Sequence, residues 1–292
     1  MNIPIGWLIG ISSILAGFIW LGGTWSQLWV PQEFLILIGG GIGSLVAANK
    51  GRNLRNLVKS IGQVFLNAEA SKKENGELLG LLWDLLEVRD RGEIRAFEKL
   101  LESLSSGGVL SSYPALAKRS RLLEFISDNF KTVTAGKTPP DQIDEAMEQE
   151  ISVIEIELKE PAESIDTLAD SMPAFGIVAA IVGVIHALSS VSADPEVEET
   201  ARLIGSALLG TLFGVFAAYA IFAPVGRSLM QRAESEERQF RAVKAVLMAH
   251  LRSLDSIQAV EFGRKMLYSD QRPSMDELEQ KVTGGSSVRA RE

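Results

Sequence analysis

The polar side chains within the apolar stretches of this sequence are the first candidates for chemistry. In the stretches at 173–191 and 204–223 they are His186, Thr211, Tyr219 and a few serines. A polar group placed in lipid is costly, so each of these invites a functional hypothesis. His186 could titrate, or it could be a neutral, hydrogen-bonded packing residue, which is the more common role.

An acidic residue is missing from the middle of every apolar stretch. Glu33 and Asp170 lie at the ends of such stretches, and no other aspartate or glutamate lies within them. A proton-driven machine needs a carboxylate or comparable group that binds and releases the ion inside the membrane. If ions cross here, we expect a partner protein to supply that acid.

The composition argues against several other kinds of chemistry. The 292-residue chain has no cysteine and two histidines, so we expect no disulfide, thiol nucleophile or metal site. A net charge of −8 disfavours nucleic-acid binding, which needs surplus Lys and Arg. The glycine run at 39–43 lies in an apolar helix and lacks the Lys-Ser/Thr of a phosphate loop. Without a catalytic set or a cofactor loop, the sequence predicts neither an enzyme nor a cofactor.

Four apolar stretches must position the polar groups, and we interpret them as membrane spans. The hydrophobic share of 46% and the positive mean hydropathy are typical of a chain partly embedded in lipid. The first stretch lacks the basic start and cleavage site of a signal peptide, so we expect a retained helix. The predicted spans are 3–21, 34–48, 173–191 and 204–223.

Proline marks the predicted start of two spans. The second span follows Pro31, with Glu33 in a position that suits the positive end of a helix dipole. The third span begins at Pro173, with Asp170 and Ser171 as candidate caps. The pattern therefore predicts that one helix begins at Pro31 and another at Pro173.

Charges in the loops predict the direction of each span, because Lys and Arg remain on the cytoplasmic side. The segments 22–33 and 192–201 contain neither residue, whereas Lys50 and Arg52 follow the second span and Arg227 follows the fourth. Both termini are therefore predicted to be cytoplasmic. The predicted organisation is a transmembrane hairpin (1–49), a cytoplasmic helical domain (50–170), a second hairpin (171–225) and a cytoplasmic helical tail (226–292).

Small residues recur every four positions along three of the spans. Such stripes let helix backbones approach closely in lipid. One stripe alone is ordinary membrane packing, whereas stripes on three of four spans suggest an assembled bundle. The stripes are Gly39, Gly43 and Ala47; Ala179, Gly183 and Ala187; and Ser206, Gly210, Gly214 and Ala218.

The soluble part is predicted to be entirely helical. Apolar residues recur at three and four positions from Leu54 to Asn67 and from Glu77 to Leu104, and no alternating strand pattern competes. The fold class is therefore an all-α, polytopic membrane protein with four transmembrane helices and a helical cytoplasmic domain. Charge is concentrated between Arg89 and Lys99, either as a solvated helix end or as a docking surface for a partner.

Taken together, these residues resemble the MotA/PomA family of flagellar stator subunits over nearly the whole chain. The last of the matching stretches is the most specific, because nothing in membrane physics requires its sequence AVEFGRKMLYSDQRPSMDELE. The stretches that carry the resemblance are Pro31–Glu33, Asp170–Leu188, Leu209–Val225 and Ala259–Glu279.

The resemblance implies a subunit of the bacterial flagellar motor that serves motility and chemotaxis. It implies a homo-oligomeric ring of A subunits in the lipid of the inner membrane, around a MotB-type B subunit whose transmembrane Asp carries the ion. Together the two subunits form an H⁺ channel that couples ion flow to torque. The family's rotor-facing arginine and glutamate fall on Asp90 and Glu98. Glu98 fits, and the positive charge facing the rotor protein FliG is left to either Arg89 or Arg91.

The resemblance also assigns residues of the ion path. The family's prolines at the inner ends of the third and fourth spans match Pro173 and Pro224. A threonine of sodium-type members is Ala180 here, whereas Thr211 matches a threonine of both ion types. A sodium ion needs several oxygen ligands, so the missing hydroxyl predicts H⁺. The alternative is that Ala180 is only a small packing residue and that the B subunit decides selectivity.

A rival interpretation is an ExbB/TolQ-type proton-channel subunit that energises outer-membrane transport. That family is distantly similar in the third and fourth spans, but it usually has three spans with the amino terminus outside. The additional amino-terminal hairpin and the EFGRK sequence of the tail favour the stator.

Overall fold

The computed structural model describes residues 2–65, 71–106, 112–190 and 197–284. These residues are almost entirely helical and contain no strand, so the fold is all-α, as predicted. The helices are α1 (Asn2–Trp20), α2 (Pro31–Ala48), α3 (Gly51–Phe65), α4 (Lys72–Asp90), α5 (Ile94–Ser106), α6 (Ser120–Thr134), α7 (Pro140–Ser190), α8 (Val197–Phe216), α9 (Ala223–Leu251), α10 (Ser256–Met266) and α11 (Met275–Gly284), with a π-helical turn, Ala217–Phe222, between α8 and α9.

Four helical segments in the described part of the chain are long and apolar enough to cross a membrane. This confirms the number of predicted spans. The first two segments coincide with α1 and with the region that ends in α2, whereas the other two belong to much longer continuous helical stretches, Pro140–Ser189 and Thr200–Leu251. Residues 191–196, which include most of the acidic loop between the third and fourth spans, and residues 285–292 of the tail lie outside the described residues.

The chain forms two compact units. The membrane unit comprises Met1–Asn67 and Lys159–Gln231, and the soluble unit comprises Ala68–Leu158 and Arg232–Glu292. Helices α7 and α9 each contribute to both units. These units are defined by contacts within the chain and not by the position of a membrane. The predicted membrane boundaries near residues 50, 170 and 226 therefore stay predictions.

In the membrane unit, α7 and α8 meet at small residues. A Cβ atom added to Gly176 would lie 2.8 Å from the carbonyl oxygen of Gly210, and one added to Gly183 would lie 2.6 Å from the Cβ of Ala207. A Cβ on Gly214 would lie 2.9 Å from the Cα of Gly176. Because these distances leave no room for a side chain, the predicted stripes on the third and fourth spans are confirmed as a backbone contact.

In α2, the glycines that contact other helices are not the ones of the predicted stripe. No atom lies within 4 Å of a Cβ added to Gly39 or Gly43, so this part of the predicted stripe makes no contact with the rest of the described chain. Instead, α2 packs through the two glycines between them. A Cβ on Gly40 would lie 2.4 Å from the ring of Phe175, and one on Gly41 would lie 2.9 Å from the sulfur of Met172.

The expected helix start at Pro31 is confirmed, but the one at Pro173 is wrong. Helix α2 begins at Pro31, whereas Pro173 lies inside the 51-residue helix α7, as does Pro161. Ser171 does not cap a helix, because its hydroxyl donates to the carbonyl of Leu168 at 2.8 Å within the helix. A proline removes one hydrogen bond from a helix, and the helical turns on both sides of Pro173 keep α7 continuous.

The fourth span contains a π-helical turn that the sequence did not predict. This turn covers Ala217–Phe222 and ends two residues before Pro224. Proline has no N–H, and its ring crowds the carbonyl one turn earlier, so a wider turn relieves that clash. Single π turns inside α-helices occur often at functional sites.

The soluble unit is built around α4. Helix α4 begins with a cap, in which the hydroxyl of Ser71 accepts from the backbone N–H of Glu74. Every residue from Glu74 to Leu86 is buried, so α4 is surrounded by protein on all sides. The sequence predicted an amphipathic helix here, because its polar residues were assigned to solvent.

The carboxyl-terminal stretch that carried the most specific resemblance, Ala259–Glu279, packs against this core. We call α10, α11 and the segment that joins them the clasp. Arg264 makes hydrogen bonds to Glu261 at 2.5 and 2.8 Å and to the carbonyl of Pro273 at 3.0 Å. The carbonyl of Gln271 accepts from the side chain of Asn75 in α4 at 2.9 Å. Gly263 lets α10 approach α9, because an added Cβ would lie 2.9 Å from the carbonyl oxygen of Ala242.

We predict that Gly263→Ala loosens this clasp. The Ala242 carbonyl is backbone and cannot move aside easily, so the extra methyl group should lower the free energy of unfolding of the soluble unit by about 1–3 kcal/mol. The measurement is thermal unfolding of the purified full-length chain in detergent.

Gly80→Ala is the matched control for this prediction. A Cβ at Gly80 would lie 3.5 Å from the ring of Tyr113, which is an ordinary contact, and alanine favours a helix over glycine. Gly80→Ala should therefore melt no lower than the wild type. The same melting temperature for Gly263→Ala and the wild type would contradict the clasp.

Candidate functional site

Two of the predicted ion-path residues lie at the crossing of α7 and α8. The hydroxyl of Thr211 donates to the carbonyl of Gly176 at 3.4 Å. A Cβ on Gly210, next to Thr211, would lie 3.3 Å from the backbone nitrogen of Ala180. The structure therefore brings Ala180 and Thr211 into one neighbourhood, and Pro173 lies about one turn before Gly176 in α7.

The fourth predicted ion-path residue lies apart from this crossing. Pro224 is the second residue of α9, which follows the π-helical turn, and it lies several turns along from Thr211. Pro173 and Pro224 are both half-buried. Each lies in a continuous helical stretch, at a point where one backbone hydrogen bond is missing.

The structure adds Glu33 to this neighbourhood. Its side chain is buried, with a relative exposure of 6%. The Cγ of Glu33 lies 3.4 Å from a Cβ added to Gly210, and its Oε1 lies 3.7 Å from one added to Gly183. The sequence placed Glu33 at a helix end, but it could not reveal that α2 begins at the depth of these two glycines. The available signal was the single charge in the segment 22–33.

The predicted rotor-facing charges lie at the turn between α4 and α5. Arg91 follows the last residue of α4, and Gly92, with φ of 74°, reverses the chain in a conformation that suits glycine. Arg91 pairs with Glu87 at 3.7 Å. Glu98 is exposed on α5, and neither it nor Arg89 makes a side-chain hydrogen bond or ion pair within the described residues.

Asp90 has a structural role in this turn. Its carboxylate accepts a hydrogen bond from the hydroxyl of Ser256 at 3.1 Å and lies 3.1 Å from Nε2 of His250. Asp90 therefore ties the end of α4 to the end of α9 and the start of α10. This explains why an aspartate fits at the position where the resemblance expects an arginine.

Burial lowers the pKa of His250. The charge of Asp90 opposes this shift, and the charge of Arg89 adds to it. The imidazole is therefore mostly neutral at neutral pH, and its Nε2–H can donate to Asp90.

A buried polar network surrounds the first turns of α4. Arg119 binds Glu74 at 2.7 Å and Glu236 at 3.0 Å, and the amide of Gln239 donates to Glu74 at 3.0 Å. Burial lowers the pKa of Arg119, but the charges of Glu236 and Glu74 outweigh that effect, and the net pKa lies above its ordinary value. The partners are far apart in the chain, so no local pattern could predict them.

Two family models match separate parts of the chain. Residues 4–92 match the family described as Motility protein A N-terminal, and residues 118–242 match the MotA/TolQ/ExbB proton channel family. The helices, the small-residue crossing and these two matches define a membrane subunit of the proton-channel class.

Individual relatives make the assignment more specific. Motility protein A of Escherichia coli (strain K12) is 34% identical over 282 residues, which cover 97% of this chain and 95% of that protein. Chemotaxis protein LafT of Vibrio parahaemolyticus is 29% identical over 276 residues, covering 94% of this chain and 96% of that one. The chain belongs to the motility protein A family.

Solved structures share the fold. A C. jejuni MotAB structure matches with a TM-score of 0.69 at 21% identity, covering 92% of this chain and 96% of that chain. The flagellar MotAB stator complex from Bacillus subtilis matches with a TM-score of 0.59 at 19% identity, covering 99% and 98% of the two chains.

We predict that His250 makes the soluble unit less stable in acid. Because its pKa is lowered in the folded chain, the unfolded chain takes up a proton at a higher pH, near the ordinary value of about 6.5. As the pH falls below that value, the unfolded state binds more protons and the free energy of unfolding decreases. The contribution of His250 to this decrease in the free energy of unfolding should be absent in His250→Gln.

The measurement is the melting temperature of the purified chain at about pH 7.5 and about pH 5.5, for the wild type, His250→Gln and His186→Gln. The loss on acidification should be smaller in His250→Gln than in the other two proteins. An equal loss in all three would show that His250 does not contribute.

Proposed function

We propose that this chain is the A subunit of a flagellar stator, which forms an H⁺ channel with a B subunit and converts ion flow into torque on the rotor. The observation that carries the proposal is the glycine-lined crossing of α7 and α8, with Thr211 and Ala180 at it, in a chain 34% identical to a motility protein A. Small residues let helix backbones approach closely in lipid, as the packed helices of a membrane channel require.

The proposed partner is a MotB-type subunit whose transmembrane aspartate carries the ion. The described residues of α7 and α8 between Pro173 and Phe216 contain acidic residues only in the first turn of α8, and none at the crossing. A proton path needs a titratable group at that depth, and a partner helix can supply it. The two structural neighbours are a MotAB structure and a MotAB stator complex, which supports a B subunit as the partner.

Several copies of this chain are proposed to form a ring around the B subunit. The face of α2 that carries Gly39 and Gly43 has no neighbour within the described chain. Large apolar side chains such as Ile38, Ile181 and Ile185 are also exposed in the spans. These surfaces suit lipid or another copy of the chain, since both are apolar.

The proposed location is the bacterial inner membrane, with both termini in the cytoplasm. Helix α3 follows the second span directly and carries Arg52, Arg55 and Lys59 beside the buried Leu57. Basic residues are retained on the cytoplasmic side of a span, and a basic amphipathic helix suits the membrane surface there. The rotor-facing turn between α4 and α5 follows α3 in the chain and would lie on the same side.

The turn between α4 and α5 is proposed to dock on FliG through opposite charges. Glu98 is exposed and unpaired within the described residues, so a basic rotor residue could reach it without breaking an existing contact. We place the positive charge on Arg89. Arg91 is already paired with Glu87, whereas Arg89 makes no such pair within the described residues.

The proposed ion is H⁺. The position of the sodium-type threonine is Ala180, which has no side-chain oxygen and lies beside Gly210 at the crossing. Thr211 already donates to a carbonyl of α7. A cage of several oxygens, which Na⁺ needs, is therefore not supplied by these side chains. An ExbB/TolQ-type function is disfavoured because residues 4–92 match the Motility protein A N-terminal family.

We predict that reversing the charge of Glu98 impairs motility more than neutralising it. Exposed ion pairs each contribute about 0–1 kcal/mol, so Glu98→Gln should weaken rotation only partly. Glu98→Lys replaces an attraction with a repulsion and should reduce rotation much further. The measurement is the rotation speed of tethered cells, with the amount of the chain in the membrane checked by immunoblot.

The arginines provide the second arm of this test. Arg89→Ala should slow rotation more than Arg91→Ala does, because Arg91 is held by Glu87. Normal rotation of Glu98→Lys at normal expression would contradict the docking surface. A larger effect for Arg91→Ala would move the positive charge from Arg89 to Arg91.

We also predict that swimming depends on H⁺ alone. When external Na⁺ is replaced by K⁺ at constant membrane potential, speed should not change, because the crossing supplies no sodium cage. A protonophore should stop the cells. A speed that collapses without Na⁺ but survives the protonophore would contradict the proposal.

A further inference from the structure

Glu33 has an unusual environment for a carboxylate. It lies in the first turn of α2, is 6% exposed, and its Oε2 atom is fully buried without a hydrogen-bond partner within the described residues. A buried acceptor without a partner is costly, and a buried ionised carboxylate without a partner is far more costly. Packing alone would favour an apolar residue here, so this acid calls for a chemical explanation.

The described residues of α7 and α8 that lie beside Glu33 carry no charge. Helix α7 contributes Gly183, and helix α8 contributes Gly210. The neighbouring residues at the same contact, Ala179, Ala180 and Ala207, also lack side-chain donors, acceptors and charge. The carboxylate therefore lies beside the crossing where the ion path is proposed.

The titratable groups on the packed helices lie further along. His186 lies about one turn beyond Gly183 in α7, and Arg202 lies more than one turn before Ala207 in α8. Each of them makes an interaction of its own. Helix α1, the turn at Trp25–Leu28 and the rest of α2 carry no charged side chain. Within the described residues, no basic side chain therefore makes a hydrogen bond to the buried Oε2 atom of Glu33.

The chemistry of the surroundings selects the ligand of this carboxylate. A metal cation of the Na⁺ or Ca²⁺ type needs several oxygen ligands, whereas Ala179, Ala180 and Ala207 supply none and the hydroxyl of Thr211 already donates to the carbonyl of Gly176. A proton needs only the carboxylate itself and a water molecule. Binding a proton also removes the buried charge, which lowers the cost of burial.

We propose that Glu33 is a second proton-binding site of the channel, supplied by this chain, on the outer side of the crossing. It takes up H⁺ from water on the outer side, forming a carboxylic acid. It then releases the same H⁺ to water on the path towards the carboxylate of the B subunit. One O–H bond forms at Glu33 and later breaks, so the group returns to its starting state. The inference rests on the proposed function for the direction of flow, whereas proton binding itself does not.

Infrared spectroscopy tests the binding step on the purified full-length chain. The difference spectrum between alkaline and acid solution should contain the C=O stretch of a buried carboxylic acid, at a higher frequency than that of a solvated one. Glu33→Gln should lose this band, and Glu145→Gln should keep it, because Glu145 is an exposed glutamate of α7. A spectrum of Glu33→Gln identical to that of the wild type would overturn the proposal.

Proton flux tests the transfer step. The chain and its B subunit are reconstituted in liposomes with an entrapped pH dye, and H⁺ entry is driven by a K⁺ diffusion potential. Glu33→Gln should reduce the flux about tenfold or more, as expected for loss of a proton-transfer group, whereas Glu33→Asp should retain part of it. Copurification with the B subunit shows that each variant is folded.

The two experiments separate the inference from the proposed function. An unchanged flux in a correctly assembled Glu33→Gln complex would overturn the transfer role. If the wild-type complex carries no H⁺ while the infrared band is present and depends on Glu33, the channel function is contradicted and the proton-binding site is supported.

Discussion

The contact between the backbones of α7 and α8 is the constraint on which the membrane unit depends. In lipid, no hydrophobic force drives helices together, so their association relies on close packing and interhelical hydrogen bonds. Gly176 and Gly214 approach so closely that neither could carry a Cβ without moving the other helix. That contact sets the relative height of the two helices, and with it the neighbourhood of Ala180, Thr211 and Glu33. A larger residue at the crossing would therefore change the proposed ion path as well as the packing of α7 against α8.

The soluble unit is held together in a different way. Its central helix, α4, carries buried polar residues, and these have partners on several other elements. Glu74 binds Arg119 and Gln239, and Asn75 binds the carbonyl of Gln271. Such a network adds little to stability when compared with apolar packing, but losing one partner leaves a buried charge or donor unpaired. The network therefore fixes which segments surround α4, and the carboxyl-terminal clasp is one of them.

The sequence predicted the elements of the membrane unit well, because lipid imposes strong rules on length and composition. The all-α class, the four spans, the start of α2 at Pro31 and the glycine contacts of α7 and α8 could all be read from local patterns. The prediction failed at Pro173, because proline in a first turn and proline inside a long helix produce the same local sequence signal. The π-helical turn before Pro224 was missed for a related reason, since it depends on hydrogen-bond geometry and not on residue type.

The candidate site was only partly predictable. Resemblance supplied Ala180, Thr211 and Glu98 as candidates, and the structure brings the first two together. Glu33 and Asp90 gained their interpretation only from contacts with residues far away in the chain: Gly183 and Gly210 in one case, His250 and Ser256 in the other. A one-dimensional pattern shows which side chains are costly to bury, but it does not show which ones are buried.

The most direct test of the stator assignment is torque from a motor in which this chain and its B subunit are the sole stator. The chain is expressed with that partner in a cell that lacks all other stator genes, and the rotation of tethered cells is recorded as the proton-motive force is varied. Our account predicts a speed that rises with the proton-motive force and falls to zero when it is collapsed. Assembled flagella that do not rotate at any proton-motive force, while both proteins are present in the membrane, would contradict it.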